Sequence, residues 1–260
     1  MSDEAGERGR RSVVLITGVG RARSIGAAIA LDLAVAHDVA FSYWDGYDAT
    51  MPFGSEPEFH AELAERMRAL GARVLPLEAD LADPATPAAL IARVRDGLGP
   101  VRALVLSHAH SVDSGILDTS VAAFDAHFAV NTRASWLLIK AFAEKYAGPH
   151  GWGRIVALTS DHTAHNLPYG ASKGALDRIV QAAAVELAPQ GITANLVNPG
   201  PIDTGWMTPE LAADLAAETA LGRLGTPHDT ADLVAFLLSA AGGWINGQLL
   251  HSNGGFHLPV

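Results

Sequence analysis

The stretch VVLITGVGRARSIG, residues 13–26, decides how the rest of the chain is interpreted. Its first five residues are apolar or β-branched, which is typical of a buried strand, and residues 24–36 are alanine-rich and predict a helix. Gly18 and Gly20 lie in the turn between them and allow the backbone to approach a ligand closely. Ser24 can cap the helix, whose first N–H groups attract a pyrophosphate. Strand, glycine turn and helix in this order predict a dinucleotide site.

Short apolar runs alternate with longer alanine-rich segments along the rest of the chain. Strands that are apolar throughout and separated by helices are typical of a parallel sheet covered on both faces. Right-handed crossovers then give a doubly wound, Rossmann-like α/β fold of about seven strands, with helices on both faces. The predicted strands are 13–17, 39–43, 73–77, 103–107, 154–159, 193–197 and 248–251; the predicted helices are 24–36, 58–70, 84–97, 121–146, 169–187 and 230–239.

The domain organisation follows from what interrupts this pattern. No linker, repeat or change of composition divides residues 12–260, so we predict a single catalytic domain. Residues 1–11 are polar and charged and are predicted to be a disordered tail. The insert 44–57 contains glycine and proline and is predicted to be a surface loop.

The composition excludes several classes of protein. The chain has 260 residues, a net charge of −10 and no cysteine. This charge disfavours binding to nucleic acid or to an anionic membrane, since both attract clustered Lys and Arg. The absence of cysteine excludes disulfides, thiolate nucleophiles and sulfur ligands for a metal. No apolar run reaches the roughly 18 residues of a membrane span, so we expect a cytoplasmic protein with neither a nucleic-acid nor a membrane partner.

A second candidate site begins with Tyr169 and Lys173, which lie four residues apart in a predicted helix. Residues at this spacing share one helical face, so the phenol and the ammonium can point into the same cleft. A free tyrosine has a pKa of about 10, and a neighbouring cation lowers that pKa. Such a tyrosine can give a proton to a carbonyl oxygen or take one from an alcohol.

Three further features accompany this pair. Ser160 ends a predicted strand, and open α/β sheets bind ligands at the carboxyl ends of their strands. Thr159 takes its place if the predicted strand end is misplaced by one residue. Asn131 lies inside a long predicted helix, where asparagine is a mediocre helix former. The run Asn198-Pro-Gly-Pro-Ile-Asp-Thr204 follows a later strand.

In this order, the motifs resemble those of the short-chain dehydrogenases/reductases over residues 12–257. The resemblance implies that Tyr169 is the general acid/base of hydride transfer between a nicotinamide cofactor and a small carbonyl or alcohol substrate. It implies that Lys173 lowers the pKa of Tyr169 and holds the nicotinamide ribose, that Ser160 binds the substrate oxygen, and that Asn131 anchors a proton-relaying water. It further implies a homodimer or homotetramer. Acid/base chemistry of this kind needs no metal, and we expect none.

The same resemblance implies the cofactor contacts. Asp80 would meet the adenine, and the run after Asn198 would hold the nicotinamide carboxamide. Arg21 and Arg23 can bind a 2′-phosphate, whereas Asp45 can bind a ribose 2′-hydroxyl, and we expect NADP(H) to be favoured over NAD(H). The predicted cofactor residues are Gly18, Gly20, Arg21, Arg23, Ser24, Ile25, Trp44, Asp80, Leu81, Ser107, Pro199, Gly200, Ile202 and Thr204.

Several features depart from the family pattern or resemble only one branch of it. The long glycine loop, with Ser24 at a usual glycine position, resembles the enoyl-reductase branch, whose members space tyrosine and lysine more widely. Ser107-His-Ala-His110 stands where the family usually has Asn-Asn-Ala-Gly. The run Gly222-Arg-Leu-Gly-Thr-Pro227 resembles the pocket-closing segment of 3-oxoacyl-carrier-protein reductases. An enoyl (C=C) reductase and a non-catalytic dinucleotide sensor or scaffold remain as alternatives. The histidines that follow strand ends are either substrate contacts or ordinary loop residues: His108, His110, His162 and His165.

Overall fold

Strand β1 (Val13–Thr17) lies inside a seven-stranded, all-parallel sheet in the computed structural model, which describes residues 11–258. The strand order is β3-β2-β1-β4-β5-β6-β7, so the chain reverses the direction in which the sheet grows between β3 and β4. This switch point opens a crevice beyond the carboxyl ends of β1 and β4. The remaining strands are β2 Asp38–Tyr43, β3 Val74–Glu78, β4 Val101–Leu106, β5 Gly153–Leu158, β6 Ile192–Asn198 and β7 Leu249–His251.

Helices cover both faces of the sheet because successive residues of the central strands face opposite sides and both sides are apolar. In β1, Val14 and Ile16 face one buried cluster and Leu15 faces the other. The predicted Rossmann-like α/β fold is confirmed. The helices are α1 Ile25–Leu33, α2 Asp45–Asp48, α3 Phe59–Ala69, α4 Thr86–Gly97, α5 Val121–His127, α6 Ser135–Lys145, α7 Leu167–Glu186, α8 Pro209–Glu218 and α9 Pro227–Leu238.

The long helix predicted over residues 121–146 is interrupted in the structure. A π-helical segment, Phe128–Ala134, lies between α5 and α6, and α6 ends at Lys145. Hydrophobic periodicity does not reveal such a segment, since one extra residue per turn shifts the pattern only locally. The π-helical segment contains Asn131 and turns it inward.

Two other helices differ from the prediction because of their capping residues. Helix α9 begins at Pro227, three residues earlier than predicted, since Thr226 and Asp229 form a reciprocal capping box. Helix α8 was not predicted; Thr208 caps it by accepting a hydrogen bond from Leu211 N at 3.2 Å.

The predicted surface loop 44–57 contains the helical turn α2, whose Asp48 is buried. The rest of the insert is exposed or half-buried, as expected of a surface loop, and only this turn departs from the prediction, because it packs against the glycine loop. Most of the predicted disordered tail, residues 1–10, lies outside the described residues. Arg11 is described and donates hydrogen bonds to Ala34 O and to His37 O, so its inclusion in the tail is wrong. No helix in residues 11–258 has the length and apolarity to cross a bilayer.

Candidate active site

The glycine loop after β1 is shaped by close backbone contacts. Gly18 has φ +78°, and a Cβ there would lie 2.5 Å from the backbone N and Cα of His108. A Cβ on Gly26, in α1, would lie 2.5 Å from Gly18 O. Ser24 caps α1 and accepts a hydrogen bond from Ala27 N at 3.1 Å, as predicted. Ile25 is the first residue of α1, so its N–H belongs to the unpaired first turn that can bind a phosphate.

The two arginines of this loop contact neighbouring segments. The Arg21 guanidinium lies 3.7 Å from the centroid of the Phe53 ring and donates to Thr204 O at 3.2 Å. Arg23 pairs with Asp203 at 2.6 Å, and both side chains are exposed. The pairing neutralises Arg23, whereas Arg21 retains unused N–H donors.

The end of β2 carries the residues expected near the adenosine. Trp44 is partly exposed, and Asp45 follows it at the start of α2. Asp45 Oδ1 is buried without a hydrogen-bond partner, and His60 Nε2 lies 3.7 Å away. A ribose hydroxyl would supply the donor that this oxygen lacks. Asp80, beyond β3, accepts a hydrogen bond from Ala82 N at 2.8 Å, next to the buried Leu81.

The segment after β6 is a second turn built on close backbone contacts. Gly200 has φ +67°, and a Cβ there would lie 2.5 Å from Cβ of Asn253. Pro199 and Ile202 are buried, and Ile202 forms an isolated bridge with Gly225. The predicted pocket-closing run 222–227 therefore lies against the predicted carboxamide-binding turn.

Tyr169 lies in the first turn of α7, which begins two residues earlier than predicted because Pro168 is helical. Burial raises the pKa of its phenol to about 12, and a hydrogen bond with the Ser160 side chain acts in the opposite direction. The pKa is therefore above its ordinary value, not below it as we expected, since desolvation penalises the phenolate. At neutral pH the phenol is a proton donor.

Lys173 lies one turn further along α7 and is buried. Its Nζ donates to Leu158 O at 2.9 Å and lies 5.7 Å from the centroid of the Tyr169 ring. Burial lowers the pKa of this ammonium to about 8, while Asp177 acts to raise it. Lys173 is therefore mostly protonated at pH 7, and a cation stands beside the phenol.

Of the two candidates at the end of β5, Ser160 is the residue that faces Tyr169. Thr159 is buried, and its hydroxyl donates to Asp177 Oδ1 at 2.5 Å, two turns further along α7 than Tyr169. Ser160 is partly exposed and next to Tyr169. The predicted strand ended at residue 159, one residue later than β5. Ser160 is nevertheless the predicted residue that lies next to Tyr169.

Asn131 is buried in the π-helical segment, and its amide is fully used inside the protein. Its Oδ1 accepts from His110 N at 2.7 Å, and its Nδ2 donates to His110 O and to Ser172 Oγ, both at 2.9 Å. Asn131 thereby ties the loop after β4 to α7. That Asn131 anchors a proton-relaying water remains a prediction. Its backbone carbonyl accepts a hydrogen bond from Ser135 Oγ at 2.7 Å.

The unusual run 107–110 has a structural explanation. His108 is buried, with Nδ1 2.6 Å from Thr17 Oγ1 and Nε2 3.1 Å from Val130 O. Burial and the charge of Lys173 lower its pKa to about 3, so the ring is neutral. The hydrogen bonds then assign the proton to Nε2. Ser107 N donates to Thr17 Oγ1 at 3.3 Å.

The other histidines divide by position. The His110 ring packs edge-on against His127, with ring centroids 4.6 Å apart, whereas His162 and His165 are exposed. Sequence reasoning missed two residues here, Tyr47 and His127; neither lies in a motif or follows a strand end. Within the described part of the chain, no three His, Asp or Glu side chains form a group that could hold a metal.

The residues fit a nicotinamide dinucleotide. The glycine turns leave room that a Cβ would fill, α1 presents its unpaired N–H groups, and Asp45 lacks a donor. Across the switch point stand Tyr169, Ser160 and Lys173. This combination of fold and site defines an oxidoreductase that uses a nicotinamide cofactor.

Known proteins share this architecture. A family model described as enoyl-(acyl carrier protein) reductase matches residues 18–257. The uncharacterized oxidoreductase YjdA of Bacillus subtilis is 34% identical over 253 residues, covering 95% of this chain and 97% of its own. An NADPH-dependent aldehyde reductase-like chloroplastic protein of Arabidopsis thaliana is 36% identical over 258 residues, covering 94% and 93%. The structure of a short-chain dehydrogenase from Burkholderia cenocepacia in complex with NADP has a TM-score of 0.83 and 33% identity, covering 95% and 98%.

The chain belongs to the short-chain dehydrogenase/reductase family and is an NAD(P)-dependent oxidoreductase.

Proposed function

We propose that the protein moves hydride between NADP(H) and a small carbonyl/alcohol pair, with Tyr169 as the general acid/base. The observation that carries this proposal is the half-buried phenol of Tyr169 beside Ser160, with the Lys173 ammonium one helical turn away. All three groups lie at the carboxyl edge of the sheet, on the same side as the glycine loop.

The residues divide the chemistry as follows. When bound, a nicotinamide would supply the hydride to the carbonyl carbon or accept it in the reverse direction. Ser160 Oγ donates a hydrogen bond to the carbonyl oxygen and orients it toward Tyr169. Tyr169 then donates its proton to that oxygen, and the resulting phenolate is stabilised by the Lys173 ammonium. In the reverse direction the phenolate takes the alcohol proton. NADP(H) would be held by the glycine loop, with Arg21 toward its 2′-phosphate, and by the turn after β6.

The pKa directions favour reduction at neutral pH. Because the pKa of Tyr169 lies near 12, the phenol carries its proton and is ready to donate it. Oxidation of the alcohol requires the phenolate, so its rate rises with pH. The pKa of Lys173 is about 8, and loss of that proton removes the cation that stabilises the phenolate. The rate of reduction therefore falls as the pH rises through about 8.

NADP(H) as the favoured cofactor is supported by the NADPH-dependent relative and by the NADP-bound structure. In this chain Arg21 is the residue with free donors for a 2′-phosphate, since Arg23 is neutralised by Asp203. Asp113 and Asp161 are exposed carboxylates in the loops that follow β4 and β5, at the carboxyl edge of the sheet, and their charge favours a neutral carbonyl compound over an anion. The aldehyde reductase relative agrees with such a substrate.

A second candidate, reduction of an enoyl C=C bond, is favoured by the description of the matching family model. The one-turn spacing of Tyr169 and Lys173 argues for the carbonyl reaction. Oxidation of NADPH with benzaldehyde, ethyl acetoacetate and cyclohexanone, compared with crotonyl-CoA, separates the two. Turnover of crotonyl-CoA alone would favour the enoyl reductase, and turnover of none would favour a sensor or scaffold.

The central test is Tyr169→Phe. We expect turnover of the best carbonyl substrate to fall roughly 1,000-fold, within the range for loss of a general acid, with the Kd for NADPH unchanged. The matched control is Tyr146→Phe, which loses one hydrogen bond to Pro149 O at the amino end of the sheet and should remain active. Wild-type turnover in Tyr169→Phe would reject the proposal.

A homodimer or homotetramer is part of the proposed function. Helices α5, α6 and α7 carry exposed apolar side chains that pairing would cover, including Val121, Trp136 and Val185. Light scattering of the purified protein measures the assembly, and a monomer at all concentrations would contradict it.

A further inference from the structure

The hydroxyl of Tyr47 makes two hydrogen bonds with a single residue. It donates to Ser111 O and accepts from Ser111 N, both at 3.1 Å. Tyr47 lies in α2, within the insert after β2, whereas Ser111 lies in the loop that follows β4. The Tyr47 ring also packs 5.2 Å from the His110 ring. One side chain therefore restrains the loop after β4 through both of its main-chain polar groups.

That loop is bonded in turn to the start of α7. Ser111 Oγ accepts from Asn166 Nδ2 at 3.0 Å, and Asn166 is the residue immediately before the helix. Leu167 N, the first of the helix, donates to Ser114 O at 2.9 Å. Tyr169 lies in this first turn, so residues 111–114 help to hold the part of the helix that carries the phenol.

At its other side, α2 rests on the glycine loop. Asp48 is buried, and a Cβ on Gly20 would lie 2.2 Å from Asp48 Oδ2. The glycine at position 20 leaves room for this carboxylate, independently of any phosphate. Helix α2 is thereby held against the glycine loop, and the Tyr47 side chain reaches from this fixed turn across to Ser111.

The groups that act on Tyr169 come from several segments of the chain. Tyr47 is among the groups that raise the pKa of Tyr169, after burial, the largest cause. The other polar groups around Tyr169 are Ser160, the Lys173 ammonium on the same helix and the His162 ring, 6.5 Å away. Tyr47 is the group that comes from the insert, far from all of these in the chain.

We infer that Tyr47 is a positioning residue for Tyr169: it holds the loop 111–114 and, through Asn166, the first turn of α7 in the place that proton transfer requires. The inference rests on the proposed function of Tyr169. Displacement of a reacting group by even 1 Å can cost a factor of 100 in rate. By holding Tyr169 in place, the insert 44–57 would therefore contribute to the rate of the reaction.

Tyr47→Phe tests this inference, since it keeps the ring against His110 and removes both hydrogen bonds. With the fastest substrate of the carbonyl panel and NADPH, we expect kcat to fall about 10- to 100-fold. The KM for the carbonyl compound and the Kd for NADPH should stay within about twofold of wild type. Tyr146→Phe is again the matched control and should leave kcat unchanged.

Ser111→Ala is the second variant, and it is informative even if Tyr47→Phe does not fold. It removes Oγ and the bond to Asn166 but keeps the backbone groups that Tyr47 binds. If both residues act through the same path, the double variant loses no more kcat than Tyr47→Phe alone. Multiplicative losses in the double variant would overturn the path through Asn166.

Three other results would overturn the inference. They are unchanged kcat in Tyr47→Phe, a loss that lies entirely in the Kd for NADPH, and unchanged kcat in Ser111→Ala. Tyr169→Phe, measured in the same assay, separates this outcome from failure of the proposed function. If Tyr169→Phe loses turnover while Tyr47→Phe keeps it, only the positioning role of Tyr47 is wrong.

Discussion

The glycine loop and the catalytic cluster lie on either side of one crevice and are built in opposite ways. The loop depends on the absence of side chains: a Cβ on Gly18, Gly20 or Gly26 would lie within 2.5 Å of a neighbouring atom. The catalytic cluster depends on side chains that are held by other side chains. Asn131 bonds to Ser172 across 41 residues, and Thr159 bonds to Asp177 across 18.

This difference explains why the glycine loop and the catalytic cluster tolerate different substitutions. Gly18 and Gly26 are required by backbone neighbours, which cannot move aside. A side chain in a hydrogen-bond network is required by a partner, and another polar residue can replace it. His108 belongs to such a network, because its imidazole bonds to Thr17 and to Val130.

The largest effect is expected from Gly18→Ala. The new Cβ would lie 2.5 Å from the His108 backbone, and residue 18 has φ +78°, in the left-handed region. Overpacking and the left-handed backbone together should lower the free energy of unfolding by roughly 4 kcal/mol. We expect a lower free energy of unfolding in urea and weaker NADPH binding. Gly151→Ala is the control: its φ is +84°, but nothing lies within 4 Å, so it should cost about 1–2 kcal/mol. Equal costs would show that the close approach at Gly18 is unimportant.

A smaller effect, on the dependence of stability on pH, is expected from His108, which lies between the glycine loop and the catalytic cluster. Its pKa in the folded protein is about 3, below the ordinary 6.5, so the unfolded chain takes up the proton first as the pH falls. Stability is therefore complete above about pH 6.5 and is lost progressively toward pH 3. The loss due to His108 between pH 7 and pH 4 is about 3 kcal/mol.

His108→Asn should flatten this dependence, because an amide does not titrate. Thermal unfolding of both proteins from pH 7 to pH 4 measures the difference. Burial lowers the pKa of His37 to about 4, so His37 makes the stability of both proteins depend on pH to a similar extent. This part of the pH dependence should remain in His108→Asn. His150→Asn, at an exposed loop position, is the control. Parallel curves for wild type and His108→Asn would contradict the assignment of a neutral, buried ring.

The smallest effect is expected from Arg21→Ala. If Arg21 binds the 2′-phosphate, the Kd for NADPH should rise about tenfold, the equivalent of 1.4 kcal/mol, while the Kd for NADH changes little. Arg23→Ala breaks only an exposed ion pair with Asp203, which contributes about 0–1 kcal/mol, and should affect neither cofactor. Equal weakening of NADPH and NADH by Arg21→Ala would reject its role in cofactor choice.

Much of the fold could be predicted from local pattern. The prediction of β1 was correct to the residue, and the Ser24 cap and the seven parallel strands were also correct. Each of these depends on residues within a few positions of one another. Helix boundaries failed where capping outweighed periodicity, as at Thr226, and where a π-helical segment broke the period, as at Asn131.

The roles of individual polar residues could not be predicted in the same way. His108 bonds to Thr17 across 91 residues, and Tyr47 bonds to Ser111 across 64. The direction of the pKa of Tyr169 was also expected wrongly, because the desolvation of its phenol depends on how deeply the folded chain buries it.

The amino-acid sequence by itself determined the parallel sheet, the glycine turns and the order of the motifs, because strand periodicity, backbone freedom at glycine and helix capping act over a few residues. Only the tertiary structure decided that Asp48 packs against the glycine loop and that Tyr47 bonds to Ser111. It also decided that Thr159 bonds to Asp177 while Ser160 lies next to Tyr169. The neutral, buried state of His108 was decided at the same level. These outcomes depend on burial and on hydrogen bonds between distant segments, which exist only once the sheet has brought the strand ends together.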